Sequence, residues 1–439
     1  MWSSSLRIRL ATINCMLQLQ MSAVDSHASR SAAVSSETAA LAAGAGSAGS
    51  ASAAAAFGSL RQHDDGRILA WHITDPHVDP FYRAGTPTES CYCRSHTLCP
   101  ARPESASCVP SPSVGDREGT SGAGPFGNAE ADCETPEELF ASSLQHAAVV
   151  APAAELVLFT GDFCAYMLET PCDNSATGTQ PGSSRAGLLG CISSAYGGVR
   201  AAFPKAVVLP SFGNHDTVVM EYDGGSGAVF TGSEQMQWLY SAAADLWATP
   251  AAIGCTATTD GDMYSGSDLD FSCTEARRTL LLGGYFATRL PYAALNLTVL
   301  SLNTNYWSVE SNFALRNVSS EAYQLGGGML AWAKQHLAGA AARGDKVMVL
   351  GHIPPHSGMW CDGFYRRWIT ALMPYYKAGL MLPHFFGHMH TDEWQVVRGC
   401  SDAPDDNATA WTKTAGIKQG SRRFGTESVS DPVNHPPCL

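Results

Sequence analysis

The chain has 439 residues, 45% hydrophobic and 15% charged, and a net charge of −13 at pH 7. That content supports one large globular domain with added segments. Its basic residues are scattered, never denser than the pairs Arg277 with Arg278, Arg366 with Arg367 and Arg422 with Arg423, which argues against a nucleic-acid polymer as partner. No uninterrupted apolar run reaches about 18 residues, which argues against a membrane span and leaves at most peripheral membrane contact.

The chain starts "MWSSSLRIRLATINCMLQLQMSA", where Arg7 and Arg9 precede an apolar stretch broken by Thr12, Asn14, Gln18 and Gln20. This is a weak signal-like start. Residues 22–58 are mostly Ala, Ser and Gly, a composition that buries too little surface to offset its chain entropy, so 1–66 is expected to be that signal-like start followed by a disordered leader. Order is expected from "GRILAWHITD", a β-rich run ending on Asp75, followed by a loop with Cys91, Cys93, Cys99, Cys108 and Cys133. Thr135, Pro136 and Glu138 form a T-P-x-E pattern that predicts a capped helix, with Phe140, Leu144 and Ala148 on one face.

Two buried strands come next, "AELVLFTGD" ending on Asp162 and "AVVLPSFGNHD" ending on Asn214, His215 and Asp216. Then follow "LNLTVLSLNTN", "DKVMVLGHIPP" and "MLPHFFGHMH", with a helical stretch "MLAWAKQHLAGAAARG" between the first two. Strand, polar tip, helix, strand is an α/β plan, and in such sheets the strand ends gather at one edge, where ligands sit. The fourteen cysteines exceed what a reducing compartment tolerates, so most are read as disulfides with the pairing open. Three sequons, at Asn296, Asn317 and Asn407, fit a glycosylated, exported chain.

The strand tips carry Asp75-x-His77, Gly161-Asp162, Gly213-Asn214-His215-Asp216, Gly351-His352 and Gly387-His388-x-His390. An isolated His-x-His more often just ends a strand. On an extended chain, however, alternate side chains share a face, so His388 and His390 can aim at one point. Two divalent cations roughly 3.5 to 4 Å apart need a bridging carboxylate and several O and N ligands, which this set supplies. Mixed carboxylate, amide and imidazole donors suit zinc, manganese or iron.

Other polar residues have plainer readings. His72 is expected to pack in the core, Asp79 to cap its loop and Cys164 to be a free or structural thiol. His356 lines a cleft or is solvated, and Asn303 braces the site or ends a strand. Tyr306 with Trp307, and Tyr375 with Tyr376, form a substrate wall or core.

Together with "TDPHVDPFY", "SLNTNYW", "RGDKVMVLGHIPP" and "FFGHMHTDEW", these blocks resemble the calcineurin-like metallophosphoesterases, more closely their acid sphingomyelinase-like branch. The resemblance covers about residues 67–400 and implies an α/β fold, a four-layer α-β-β-α sandwich, around two divalent metal ions, taken as Zn2+. It implies that Asp75, His77 and His390 hold one ion, that Asn214, His352 and His388 hold the other, and that Asp162 bridges them. His215 would be the general acid, with Asp216 orienting it. The implied activity is hydrolysis of phosphodiester bonds in a sphingomyelin-like phospholipid or a nucleotide derivative, by hydroxide attack on phosphorus. The implied setting is a secreted or lysosomal monomer acting on a small diester or a phospholipid headgroup.

The sequence departs from that family in three places. Tyr166 stands where sphingomyelinase-like enzymes usually carry a second histidine, and a phenol is a weaker proton donor at acidic pH. The family continues past Cys400 with further strands and a helical subdomain, where this chain has a polar stretch, 401–439, expected to be a disordered tail. No saposin-like segment precedes residue 67. An acid phosphomonoesterase, or a truncated and catalytically silent metal- or phosphate-binding protein, are the alternatives.

Overall fold

The computed structural model describes residues 8–14, 68–86, 93, 123–128, 133–165, 185–216, 233–257, 269–292, 295–308, 319, 321–356, 358–391, 394–396 and 415–417. The strands are β1 (Ile8–Asn14), β2 (Ile68–Thr74), β3 (Val78–Asp79), β4 (Thr135–Pro136), β5 (Leu156–Phe159), β6 (Val207–Pro210), β7 (Phe286–Tyr292), β8 (Leu295–Ser301), β9 (Lys346–Leu350), β10 (Trp394–Val396) and β11 (Ala415–Ile417). The helices are α1 (Glu137–Val150), α2 (Arg185–Ala202), α3 (Ser233–Trp247), α4 (Pro250–Ile253), α5 (Cys273–Gly283), α6 (Glu321–Arg343) and α7 (Asp362–Lys377).

Every residue of β5 and β6, and all but Leu69 of β2, is buried. Such continuous apolar runs suit parallel strands covered on both faces. They pair in the order β1-β2-β5-β6, all parallel, with Ile73 opposite Phe159 and Phe159 opposite Pro210. Strand β1 falls in the expected signal-like start, and pairs with β2 from Ile8 opposite Ile68 to Asn14 opposite Thr74. Parallel strands require crossovers, and α1 and α2 supply them before β5 and β6.

In the second sheet β7 runs antiparallel to β8 and β8 parallel to β9. The run "MLPHFFGHMH", expected as a strand, touches β9 only through isolated bridges, Val347 with Met381 and Leu350 with Phe385. Pro383 lies between them and has no N–H to continue a ladder. In the expected tail, β11 pairs antiparallel with β10.

One apolar cluster joins both sheets to their helices. Phe140 of α1 stacks on Phe159 at 6.4 Å, and α6 packs on β9 and α7. The two sheets meet at their C-terminal ends, where the Ser301 hydroxyl donates to the Pro210 carbonyl at 2.6 Å. Mixed α/β architecture with a parallel sheet is thus as expected, and no helix among the described residues is long and apolar enough to cross a membrane.

The cap expected at Thr135 does not form, because α1 begins after Pro136 with no side-chain cap bond. Thr135 is in β4 opposite Val78, and its N–H donates to the His77 carbonyl at 3.2 Å. Pairing to the site loop has taken the residue the cap needed. Disulfides Cys164–Cys191 and Cys255–Cys273 staple loops to α2 and α5, and Cys93–Cys133 joins two loop segments. Cys164 is therefore structural rather than a free thiol.

Asp345, fully buried, holds the start of β9 to β7, β8 and the end of α6. Its carboxylate takes a bidentate pair of bonds from Arg289 at 2.9 and 3.1 Å, one from Arg343 at 2.9 Å and one from Thr298 at 2.9 Å. Burial pushes its pKa up, but the bonds from Arg289 and Arg343 outweigh that and hold it below the usual range. His336 sits between Phe271 and Trp332, ring centroids 5.4 and 4.5 Å away, and burial pushes it down to about 4.

Asp345→Ala should cost about 3 kcal/mol, the low end for an ion pair broken in the interior because its arginines are partly exposed; urea unfolding measures it. Between pH 6.5 and 4 an unfolded His336 binds a proton that the folded one refuses, so stability should fall as pH falls, by up to about 3 kcal/mol from this residue. His336→Leu should flatten that part of the stability profile relative to wild type.

Candidate metal centre

Five strand or loop ends converge at one place, and their backbones are unusual. Among the described residues six that are not glycine have positive φ, and five of them are Asp75 (50°), His77 (44°), Asp162 (50°), His388 (73°) and His390 (48°). Such backbone costs of order 1 to 3 kcal/mol per residue and persists only where neighbours over-determine it. Here they do. The N–H of Asp75 donates to Gly161 O at 3.1 Å, that of His77 to Asp162 O at 3.1 Å, and that of Gly387 to His352 O at 2.8 Å. The Asp75 carboxylate takes the His388 N–H at 2.9 and 3.0 Å.

Glycines make the approach possible. A Cβ on Gly213 would overlap the Asp162 carboxylate and backbone, and one on Gly387 would overlap Thr74 and Asp75. Only hydrogen fits at either position.

The donor atoms form two groups that share one carboxylate. Asp75, His77, Asp162 and His390 offer atoms all within 4.8 Å of one another, and Asp162, His352 and His388 do the same. In the first group His77 Nε2 lies 3.0 Å from His390 Nε2 and 3.5 Å from Asp162 Oδ2, and His390 Nε2 lies 3.3 Å from Asp75 Oδ1. In the second, His352 Nε2 lies 3.1 Å from Asp162 Oδ2. Asn214 joins that group, its Oδ1 being 3.0 Å from His352 Nε2 and 2.9 Å from His388 Nδ1. His352 Nδ1 donates to the Thr160 carbonyl at 2.7 Å, which leaves Nε2 free to act as a donor atom in the cluster.

Burial opposes charge on both carboxylates. At Asp162 the charges of His352 and His215 overcome it and hold the carboxyl well below its usual range. At Asp75 burial is likewise overcome, by His352 and His390. Burial would lower His352, but Asp162 and Asp75 lift it to about 9. His77, by contrast, is driven down to about 3 by burial. Two buried carboxylates thus draw positive charge from the imidazoles around them, a demand that divalent cations would meet without protonating those rings. The donor set and its charge balance fit a pair of such ions.

His215 lies against this cluster. Its ring centroid is 5.3 Å from that of His77, its N–H donates to Asp162 Oδ1 at 2.8 Å, and burial lowers its pKa. Asp216, expected to orient His215, has another task. Its carboxylate takes the backbone N–H groups of Asp162 at 2.8 Å, Phe163 at 2.7 Å and Gly213 at 2.8 Å, tying the β5 and β6 loops together. Burial and the charge of Asp162 push its pKa up to about 7, against the pull of those N–H groups.

The plainer readings are met at several positions. His72 is buried, with Nε2 2.8 Å from the Thr160 hydroxyl, and Asp79 caps its loop by accepting the Phe81 N–H at 2.9 Å. Tyr306 and Trp307 are core. Asn303 donates to Tyr240 at 3.2 Å and Gly283 at 3.0 Å, bracing a helix end rather than the cluster. His356 is half-buried and accepts the Gly358 N–H at 3.0 Å. Asn296 is half-buried on β8, whereas Tyr166, Asn317 and Asn407 lie outside the described residues. The tie at Asp216 carries no residue-type signal, because its partners are main-chain groups.

No family model matches the chain. It is 29% identical over 328 residues to sphingomyelin phosphodiesterase of Bos taurus, covering 74% of this chain and 42% of that protein. It is 24% identical over 348 residues to cyclic GMP-AMP phosphodiesterase of Homo sapiens, covering 76% of this chain and 59% of that one. Among solved structures, a dimetal phosphatase from Danio rerio overlaps 59% of this chain and 74% of its own at 13% identity, with a TM-score of 0.32. The chain therefore spans roughly half the length of the curated relatives it matches. By sequence it is a homologue of the sphingomyelinase-like phosphodiesterases.

Proposed function

We propose that this chain is a hydrolase with two metal ions that cleaves phosphodiester bonds. The observation that carries the reading is the pair of donor groups sharing the Asp162 carboxylate. Asp75, His77 and His390 would hold one ion, Asn214, His352 and His388 the other, with Asp162 between them. Two divalent cations held there would neutralise phosphate charge and acidify a water for in-line attack on phosphorus. Four imidazole nitrogens beside carboxylate and amide oxygens suit zinc, manganese or iron, and we take the ions to be zinc.

The residues themselves supply positioning and a proton. The buried walls of the cluster exclude bulk water, which strengthens each electrostatic contact to a bound phosphate. His215 sits at the cluster's edge as the general acid for the leaving oxygen. Burial lowers its pKa, and an anionic phosphate beside it would favour its protonated form. The substrate class is a small diester of the kind the relatives' names describe, a sphingomyelin-like headgroup or a nucleotide derivative. Disulfides and sequons support an oxidising setting, secreted or lysosomal. We take the chain to act as a monomer.

Elemental analysis of purified protein, run beside hydrolysis of bis-p-nitrophenyl phosphate and of its monoester, tests the reading. About two metals per chain with faster diester turnover is expected. Faster monoester turnover would make it a phosphomonoesterase, metal without turnover a binding protein, and folded protein without metal would sink the reading. Asp162→Asn should lose both metals, since it weakens the shared donor; full occupancy in that variant would remove the bridging role. His215→Ala should keep both metals and lower kcat by about 100- to 10,000-fold, as loss of a general acid does.

A further inference from the structure

We propose that Thr304 and Asn305 are positioning residues that set the spacing between His352 and Asn214, a role that rests on the metal-centre reading above. Of the strands central to the two sheets, β8 alone ends in a tip with no member of the donor set. That tip, Leu302 to Asn305, is nevertheless wholly buried and turns at Thr304–Trp307 between two donor-bearing loops.

The contacts run both ways from one turn. The Thr304 hydroxyl accepts the His352 N–H at 3.2 Å and the Ile353 N–H at 2.8 Å. Its methyl fills the space a side chain on Gly351 would need, 2.6 Å from that Cβ position. The neighbouring Asn305 side chain donates to the Gly213 carbonyl at 3.0 Å, next to Asn214. Gly213 follows β6 of the first sheet and His352 follows β9 of the second. Ladder hydrogen bonds fix spacing within a sheet and say nothing about spacing between sheets. The 3.0 Å approach of His352 Nε2 to Asn214 Oδ1 crosses from one sheet to the other. Two adjacent side chains on a single turn hold both sides of that approach.

Zinc-loaded full-length protein tests this by the rate of zinc release to a colorimetric chelator, with kcat and KM on bis-p-nitrophenyl phosphate and thermal unfolding alongside. Thr304→Val removes the acceptor at nearly constant volume, Thr304→Ser keeps it, and Asn305→Ala releases the other loop independently. Ser301→Ala removes the bond from β8 to the Pro210 carbonyl of the first sheet without touching Gly213 or His352, and serves as the control for general loosening. One of the two zinc ions should leave about 10- to 100-fold faster from Thr304→Val and from Asn305→Ala, with kcat lowered and KM within about twofold of wild type. Thr304→Ser should release zinc at close to the wild-type rate, and Ser301→Ala should lower the melting temperature without faster release.

Wild-type release from both Thr304→Val and Asn305→Ala, or release no faster than from Ser301→Ala at the same loss of melting temperature, would overturn the clamp. A wild-type chain that binds no zinc would remove the metal centre and the clamp together. Two zinc ions in wild type with unchanged variants would remove the clamp alone.

Discussion

The arrangement depends on one carboxylate. Asp162 is buried with His77, His352 and the His215 backbone N–H around it, and its Oδ2 belongs to both donor groups. An anion in that position costs more than any single neighbour returns, so the surrounding imidazoles, glycines and loop ties exist to hold it. Asp216 fixes its main chain, Gly213 leaves room for its side chain, and the Cys164–Cys191 bond anchors the loop beyond it. The strands bring the pieces to one edge; the fine spacing comes from contacts that lie outside the ladders.

Much of this was legible in the sequence. Strand tips were readable because buried parallel strands are written as unbroken apolar runs, and polar residues directly after "LVLF" or "VVLP" have nowhere to be except the sheet edge. The donor set was readable because carboxylate, amide and imidazole groups in that order are rare unless something draws them together. What was not legible depends on main-chain partners. Thr135 carries a cap signature that loses to strand pairing at Val78, and Asp216 was assigned to His215 although three backbone N–H groups engage its carboxylate. Helices α2, α3, α5 and α7 were missed in loop-like or mixed stretches, where tertiary packing decides.

Substrate choice belongs to another level of the molecule. On the proposed function, the cluster would answer phosphate charge, and selection among diesters would rest on the loops that surround it. The relatives' names span a phospholipid and a cyclic dinucleotide, two very different shapes around one phosphodiester group.

The left-handed backbone at Asp75, His77, Asp162, His388 and His390 carries a consequence for how such a centre is lost. Asparagine and glycine occupy that conformation at lower cost than histidine or most other residues. Replacing a ligand histidine with either one therefore relieves local strain even as it removes an imidazole donor. Copies that drift toward Asn or Gly at His77, His388 or His390 would ease the backbone there while losing an imidazole, so descendants of this scaffold without the centre should be easy for evolution to reach.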